Sequence, residues 1–521
     1  MKVPGMAHSI SEKLIRNTVF NAVGSLWGVL ISILLTPYII GHVGVARYGI
    51  LTLVSVTTAY FGLLDFGFST SFVKFISEFY AREERKRLNQ VIVTGASFYL
   101  AFALLLIAVG FLCAGPLVAA LKVGAQFRGE ALGVFYIGVA TFAVTCLFIP
   151  FSAVAGGLQR MDVSNKLSIL LSFINAAGTV AVLRAGYGLP GLMLNGLAVA
   201  VLTGAANMFV AFRLLPWLSM SPSLFDSGVF RKLFGFGIKL QVSTLANMLH
   251  FQVDKLLLAY LLDVQLVTYY NVASQLAAKL RDMPLLLLSA VFPAASELGA
   301  RTDSERLEKL YFRSMRYVVL AGLPVFAAGL IFSGTFVRLW LGGGYERTVY
   351  TFQVFILAYF LNVMSGPGFT ILNGIGMPKY GMFSSMLAAG LNLVLSVVLV
   401  LTEGYYGVVW GTSISMIAGA SFFIYEFHRV MKISFWHIAA RSMGRPLLAV
   451  LPVALAAVIG VRALPQMGWI TLGCLASAFF AAFAALALAL RCFDDFDRAL
   501  IKDCLARARR RLGYAEWGVL P

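Results

Sequence analysis

The sequence predicts an all-α polytopic membrane protein of about 14 transmembrane helices, arranged as two pseudo-symmetric six-helix bundles followed by two further C-terminal helices. Three observations carry this: an apolar composition, a series of long apolar runs, and an internal repeat. Hydrophobic residues make up 60% of the 521 positions and charged ones only 12%. With a mean hydropathy of +0.86, this is not the balance of a water-soluble chain of such length.

A helix crossing the hydrocarbon needs about 20 mostly apolar residues. Fourteen such runs lie near residues 17–40, 48–76, 90–121, 131–157, 164–184, 188–213, 233–262, 266–297, 311–338, 348–373, 380–402, 406–427, 446–462 and 467–490. A closed β-barrel would instead show segments of about ten residues alternating in hydrophobicity; these runs are continuous and long. The first exceeds a signal-peptide core and lacks a small-residue cleavage site, so a retained helix is expected there.

Charge placement orients the helices. With the N-terminus cytoplasmic, 29 of the 41 Lys and Arg residues fall in cytoplasmic segments, 7 in external loops and 5 within helices, as positive-inside topology requires. That topology accounts for the net charge of +18, and no nucleic-acid partner is expected. Cys113, Cys146, Cys474, Cys492 and Cys504 are scattered, without metal-ligand spacing, so no metal site and no cofactor are expected.

The repeat appears at the ends of the runs. AGGLQRMDVSN (155–165) aligns with LNGIGMPKYGM (372–382), RAGYGL (184–189) with TEGYYGV (402–408), and VARYG before run two with LVTYY before run eight, at offsets of about 217 to 221. A repeat of six helices leaves both halves facing the same way, so a symmetry axis along the membrane normal and a binding site between the halves are expected. The domains expected are an N-terminal lobe (1–215), a C-terminal lobe (216–432), two additional helices (433–490) and a tail (491–521). In the tail Phe493, Phe496, Leu500, Cys504, Ala508 and Leu512 recur at three- and four-residue steps beside Arg507 and Arg509 to Arg511. This pattern predicts a basic amphipathic helix on the anionic cytoplasmic leaflet.

Charged side chains at bilayer depth cost about 2.5–3.5 kcal/mol and turn toward protein or a water-filled cavity. In run seven Lys239, Ser243, Asn247, His250 and Asp254 form one stripe; in run eight Asn271, Gln275, Lys279 and Asp282 form another, with Arg281 adjacent. Run two places Thr58, Asp65 and Ser69 on one face, whereas Lys74 points away toward the cytoplasmic headgroups. A polar cleft is therefore expected, with Lys239, Lys255, Lys279 and Arg281 as its cations. Asp65, Asn247, His250, Asp254, Gln275 and Asp282 are expected to line it or couple an ion. Asp282 is expected to neutralise Lys279 at i, i+3, and Asp254 to pair with a neighbour. Surplus Lys and Arg suit a phosphate or diphosphate. There is no phosphate-binding loop and no extramembrane segment long enough for a soluble catalytic domain, so no catalytic residue is expected.

Tyr48-Gly49, LLDFGFSTSFVKFISE (63–78), LWLGGGYERTVYTFQVF (339–355) and LNGIGMPKY (372–380) resemble the polysaccharide-biosynthesis, Wzx-like branch of the multidrug/oligosaccharidyl-lipid/polysaccharide exporter superfamily, over nearly the whole chain. The resemblance implies a flippase that moves an undecaprenyl-diphosphate-linked oligosaccharide, an O-antigen, capsule or exopolysaccharide unit, from the cytoplasmic to the periplasmic leaflet by alternating access. It implies a bacterial inner-membrane location with both termini cytoplasmic, and basic residues in a central cavity that hold the diphosphate. Coupling to H+ or Na+ is implied too. The partners the resemblance implies besides the lipid-linked glycan are membrane lipids, a polysaccharide polymerase and assembly proteins. The alternatives are a cation or drug antiporter of the same superfamily, a lipid II flippase, and a polytopic glycan-transfer enzyme. Lipid II flippases carry arginines in the first helix, where this chain has Asn17 and Asn21 after Arg16.

Overall fold

The computed structural model describes residues 27–493 apart from 29, 63–67, 122, 301–302, 435, 437–441 and 465; within helices it leaves out the side chains of 59, 69–70, 236, 239–251, 289–290, 293 and 300. The expected tail helix and Asp65 therefore lie outside the described residues. Among those residues every regular element is a helix. Ten helices are long and apolar enough to cross a membrane, with two shorter apolar ones near the N-terminus. The chain is an all-α, multi-pass membrane protein.

The helices follow the apolar runs closely. Run one gives α1 (Leu30–Val43), which ends at Gly44; the positive φ of that glycine, 84°, makes a tight junction to α2 (Val45–Phe61). Next come α3 (Phe68–Ala81), α4 (Arg85–Ala120), α5 (Arg128–Leu147), α6 (Ile149–Gly157), α7 (Met161–Arg184), α8 (Gly188–Leu214) and α9 (Ser227–Leu257). After them come α10 (Val264–Leu285), α11 (Val291–Ala300), α12 (Ser304–Leu341), α13 (Glu346–Gly374), α14 (Lys379–Glu403), α15 (Tyr405–Met431), α16 (Gly444–Ala463) and α17 (Trp469–Ala489).

Run two gives both α2 and α3, with 63–67 between them outside the described residues; two further runs are subdivided at prolines. Run four becomes α5 and α6, which meet at Phe148 because Pro150 takes a first-turn position of a new helix, where its missing N–H is harmless. Run eight becomes α10, a 3₁₀ stretch (Leu286–Ala290) and α11, with Pro284 just ahead of the tightened segment. At the end of run seven, α9 passes into a single π turn, Leu258–Leu262.

By contacts the chain forms two compact units, 1–272 with 388–412, and 273–387 with 413–521. The first has an aromatic core on α3, α4 and α9. Phe68 stacks on Phe98 at 4.2 Å and meets Phe230 at 5.3 Å; Phe72 lies so close to Gly95 that any side chain there would overlap its ring. In the second unit α12 is the most buried span together with α13 and α15. Tyr311 of α12 packs on Phe427 of α15 at 4.4 Å, and His428 bonds through Nδ1 to the Ile433 carbonyl at 3.0 Å.

The helices α7, α8, α14, α16 and α17 present most of their apolar surface outward. Phe209, Leu401, Leu455 and Ile470 are among the exposed large side chains. In water this would be a heavy liability; against hydrocarbon it costs nothing.

Candidate functional site

The stripe expected on run seven lies on continuous helix. Asp226 caps α9, accepting from the Gly228 and Val229 backbone N–H groups at 2.7 and 3.0 Å, and the helix continues unbroken through Lys239, Ser243, Asn247, His250 and Asp254. The side chains of Lys239, Asn247 and His250 lie outside the described residues, as Asp65 does. Asp254 is described, and it is fully buried.

Three neutral donors from three other helices converge on the Asp254 carboxylate. Tyr270 Oη of α10 donates at 2.7 Å, Thr412 Oγ1 of α15 lies at 2.6 Å, and Asn392 Nδ2 of α14 reaches the two oxygens at 3.2 and 3.4 Å. Asn392 Nδ2 also lies 3.2 Å from Ser396 Oγ, one helical turn on. Turning the amide over would aim its oxygen at the carboxylate, so the donors face Asp254. The Asn392 Oδ1 atom is then buried without a hydrogen-bond partner among the described residues. Among the described residues the partners of Asp254 are a phenol, a hydroxyl and an amide. Lys255, also buried, donates instead to Gln252 Oε1 at 2.9 Å.

Beside this node α2 and the start of α10 press together. Gly49 faces the Val264 carbonyl so closely that an added Cβ would overlap the oxygen. Thr268 Oγ1 donates to the Val45 carbonyl at 2.8 Å, and Asn271 Nδ2 to Thr52 Oγ1 at 3.3 Å. These pairs are 223 and 219 residues apart, on either side of the offset of 221 that relates Tyr48 of VARYG to Tyr269 of LVTYY.

Further along α10 the surroundings change. Gln275 and Lys279 are exposed. Arg281 donates through Nε and Nη2 to Asp282 Oδ1 at 3.1 and 2.9 Å, and its guanidinium lies 5.3 Å from the Tyr359 ring centroid. The ion pair expected between Asp282 and Lys279 is thus corrected: Arg281, one residue away, curls back onto Asp282 while its plane rests against the Tyr359 ring. Lys74 is exposed on α3 with its ammonium 4.6 Å from the Phe75 ring centroid, and Thr58 turns its hydroxyl back to the Val54 carbonyl of its own helix at 2.8 Å.

The structure thus brings Asp254 together with Tyr270, Asn392, Ser396 and Thr412, none of which sequence reasoning singled out. A signal existed: Asn392 and Ser396 stand four apart in the apolar stretch LAAGLNLVLS, the spacing of one helix face. Chemically, the node is a cluster of oxygens in which Asn392 Oδ1 has no partner among the described residues. On α10 two cations, Lys279 and Arg281, stand beside one carboxylate, Asp282. Among the described residues no group of three or more metal-ligating His, Cys, Asp or Glu side chains occurs.

A family described as polysaccharide biosynthesis protein matches residues 14–299. A "Putative O-antigen transporter" of Shigella flexneri is 22% identical over 369 residues, covering 70% of this chain and 86% of the relative. A "Probable low-salt glycan biosynthesis flippase" of Haloferax volcanii is 21% identical over 338 residues, covering 63% and 68%. Among solved structures, a lipid II flippase MurJ in an inward closed conformation matches with a TM-score of 0.70 at 14% identity, over 94% of this chain and all of that one. An inward-facing multidrug resistance transporter of the MATE family matches at 0.66 and 14%, over 80% and 94%. At such identities the structures establish a shared fold.

Proposed function

The chain belongs to the polysaccharide biosynthesis protein family, and from that premise we propose that it is a flippase for an undecaprenyl-diphosphate-linked oligosaccharide. It carries the lipid-linked glycan from the cytoplasmic to the periplasmic leaflet of a bacterial inner membrane by alternating access, with both termini cytoplasmic. The lobes 1–215 and 216–432, as the repeat divides them, are the two bodies whose alternation this requires.

One observation carries the reading: Lys279 is exposed, and Arg281 partly so, on α10, a helix less apolar than the ten that are fit to cross a membrane. Inside a membrane protein such charges face a water-filled cavity rather than lipid, and cationic donors there suit a diphosphate. The Shigella and Haloferax relatives, described as a transporter and a glycan flippase, support the same substrate class. In this reading Lys279 and Arg281 hold the diphosphate, with Lys239 and Lys255 as further cations. Gln275 lines the path, while Asp282 keeps the Arg281 fork in place.

The Asp254 node supplies the coupling. Its carboxylate, the unpartnered Asn392 Oδ1 and the Thr412 hydroxyl offer oxygen ligands of the kind a hard cation takes, and a proton on Asp254 would neutralise the same charge. Either ion would alter the bonds that tie α9 to α10, α14 and α15. Asp65, Asn247 and His250 are further candidates on the same path.

The test is a double change, Lys279→Ala with Arg281→Ala, in a strain whose surface glycan depends on this gene. Export should be abolished while the protein stays at its normal level in the membrane; normal glycan would sink the assignment. Drug sensitivity on deletion with intact glycan would favour an antiporter. Complementation of a peptidoglycan-precursor defect would favour lipid II. Glycan transfer by the purified protein without leaflet exchange would favour an enzyme.

A further inference from the structure

The segment LWLGGGYERTVYTFQVF, 339–355, takes no part in the α10 cation pair or the Asp254 node. It joins α12 to α13 and forms most of the wall of a cavity of about 620 Å³ in the second unit, within the size range of small-ligand sites. We propose that this cavity is a saccharide subsite, taking an uncharged sugar residue of the glycan; the proposal rests on the export reading and extends it.

The wall residues point to that chemistry. Arg338 brings N–H donors, Glu346 brings carboxylate acceptors, and Gln353 carries both kinds of group in one plane. A pair of neighbouring sugar hydroxyls, each donor and acceptor, is matched by such planar groups. The opposite charges of Arg338 and Glu346 cancel, which favours a neutral, hydroxyl-rich ligand over a phosphate or an organic cation. Gln353 is held in place, its Nε2 donating to Ser333 Oγ at 2.8 Å. Tyr345 and Tyr350 both line the cavity; Tyr345 is buried and Tyr350 partly exposed, and a tyrosine ring supplies a flat apolar face for the C–H side of a pyranose.

Glycine usage is a second, independent sign that the space is kept open. Gly342 and Gly344 have φ of 88° and 87°, conformations that side-chain-bearing residues rarely adopt, so the turn itself explains them. Gly334 and Gly343 are different. A Cβ on Gly343 would meet nothing within 4 Å, and one on Gly334 would meet only Val349 Cγ1 at 4.0 Å. Gly334 lies inside α12, where glycine weakens a helix. Packing and backbone geometry leave room for a larger residue at both positions, and both line the cavity.

The cavity also sits where a glycan would be. Phe336 stacks on Trp340 at 5.6 Å and meets Trp469 edge-on at 6.0 Å, and clustered tryptophans mark the level of the lipid headgroups. The loop lies at the end of α12 opposite its basic start, Arg306, Lys309 and Arg313, hence on the external side of the proposed topology. A sugar held there would be one that has already crossed.

The test uses the full-length protein in lipid nanodiscs and two probes: the oligosaccharide released by mild acid from the host's surface glycan, and sugar-free undecaprenyl phosphate. Binding is read by tryptophan fluorescence. G334L fills the cavity with a helix-favouring side chain, and Y350A, which removes the ring, serves if G334L fails to fold. Each should weaken oligosaccharide binding at least about tenfold and leave undecaprenyl phosphate binding unchanged. Oligosaccharide affinity equal to wild type in the variants, or no binding by the wild type, overturns the subsite and leaves the export reading standing. Intact surface glycan after gene deletion overturns the export reading, and the fluorescence result still decides the subsite.

Discussion

Asp254 and Arg281 stand on consecutive helices, the one in and the other beside a polar stripe of three- and four-residue spacing, and end in opposite surroundings. Asp254 is fully buried, with three neutral donors from three helices. Arg281 finds its partner on the next residue, and half of the Asp282 side chain surface stays open. The spacing of a stripe selects a helix face, and the elements packed against that face decide whether a charge becomes a structural tie or a surface for a ligand. The two regions should therefore respond to mutation in opposite ways.

Asp254→Ala should have the largest effect on stability. It removes the acceptor that Tyr270, Thr412 and Asn392 share and leaves them the bonds between Tyr270 and Thr412 and those to the Ser396 hydroxyl and the Val408 carbonyl, a loss on the order of 3 kcal/mol, read as a lowered melting temperature of the purified protein. Lys279→Ala with Arg281→Ala should lower stability by less than about 1 kcal/mol while abolishing export. If thermal stability and export moved together in both variants, the contrast would be lost.

Gly49→Val comes next. Its Cβ would press on the Val264 backbone carbonyl, so α2 and α10 must separate, at about 1–3 kcal/mol in the same melting assay. Thr412→Val keeps the shape and removes one donor from Asp254, at about 1 kcal/mol. If Na+ is the coupling ion, sodium should raise the melting temperature of the wild type and not of Thr412→Val or Asn392→Leu. The smallest change is Asp282→Asn, which weakens a half-exposed ion pair and should cost at most about 1 kcal/mol, visible as a modest slowing of export rather than as unfolding.

Much of the fold was legible because the bilayer admits few solutions. Apolar runs long enough to span must satisfy their own backbone groups, and helices do so locally. Runs such as 164–184 and 446–462 accordingly reappear with bounds moved by a few residues, as α7 and α16. The breaks at Phe148 and before α11 were less legible, since their prolines lie within continuous apolar stretches. The site was legible in half. Charge inside an apolar run is conspicuous, so Asp254, Lys255, Lys279 and Arg281 stood out. Tyr270, Asn392 and Thr412 are neutral, and each is unremarkable on its own helix.

The sequence by itself determined that this chain is a helical membrane protein, where its helices run, that it is internally repeated, and which charges interrupt its apolar runs. Each of these follows from hydropathy and helical period, properties of neighbouring residues. Only the tertiary structure decided that Asn392 and Thr412, 138 and 158 residues from Asp254, complete its shell, that Asp282 takes Arg281 rather than Lys279, and that the glycines after Trp340 open onto a cavity. Those outcomes depend on which helices meet, and the packing of separate helices is not encoded in the period of any one of them.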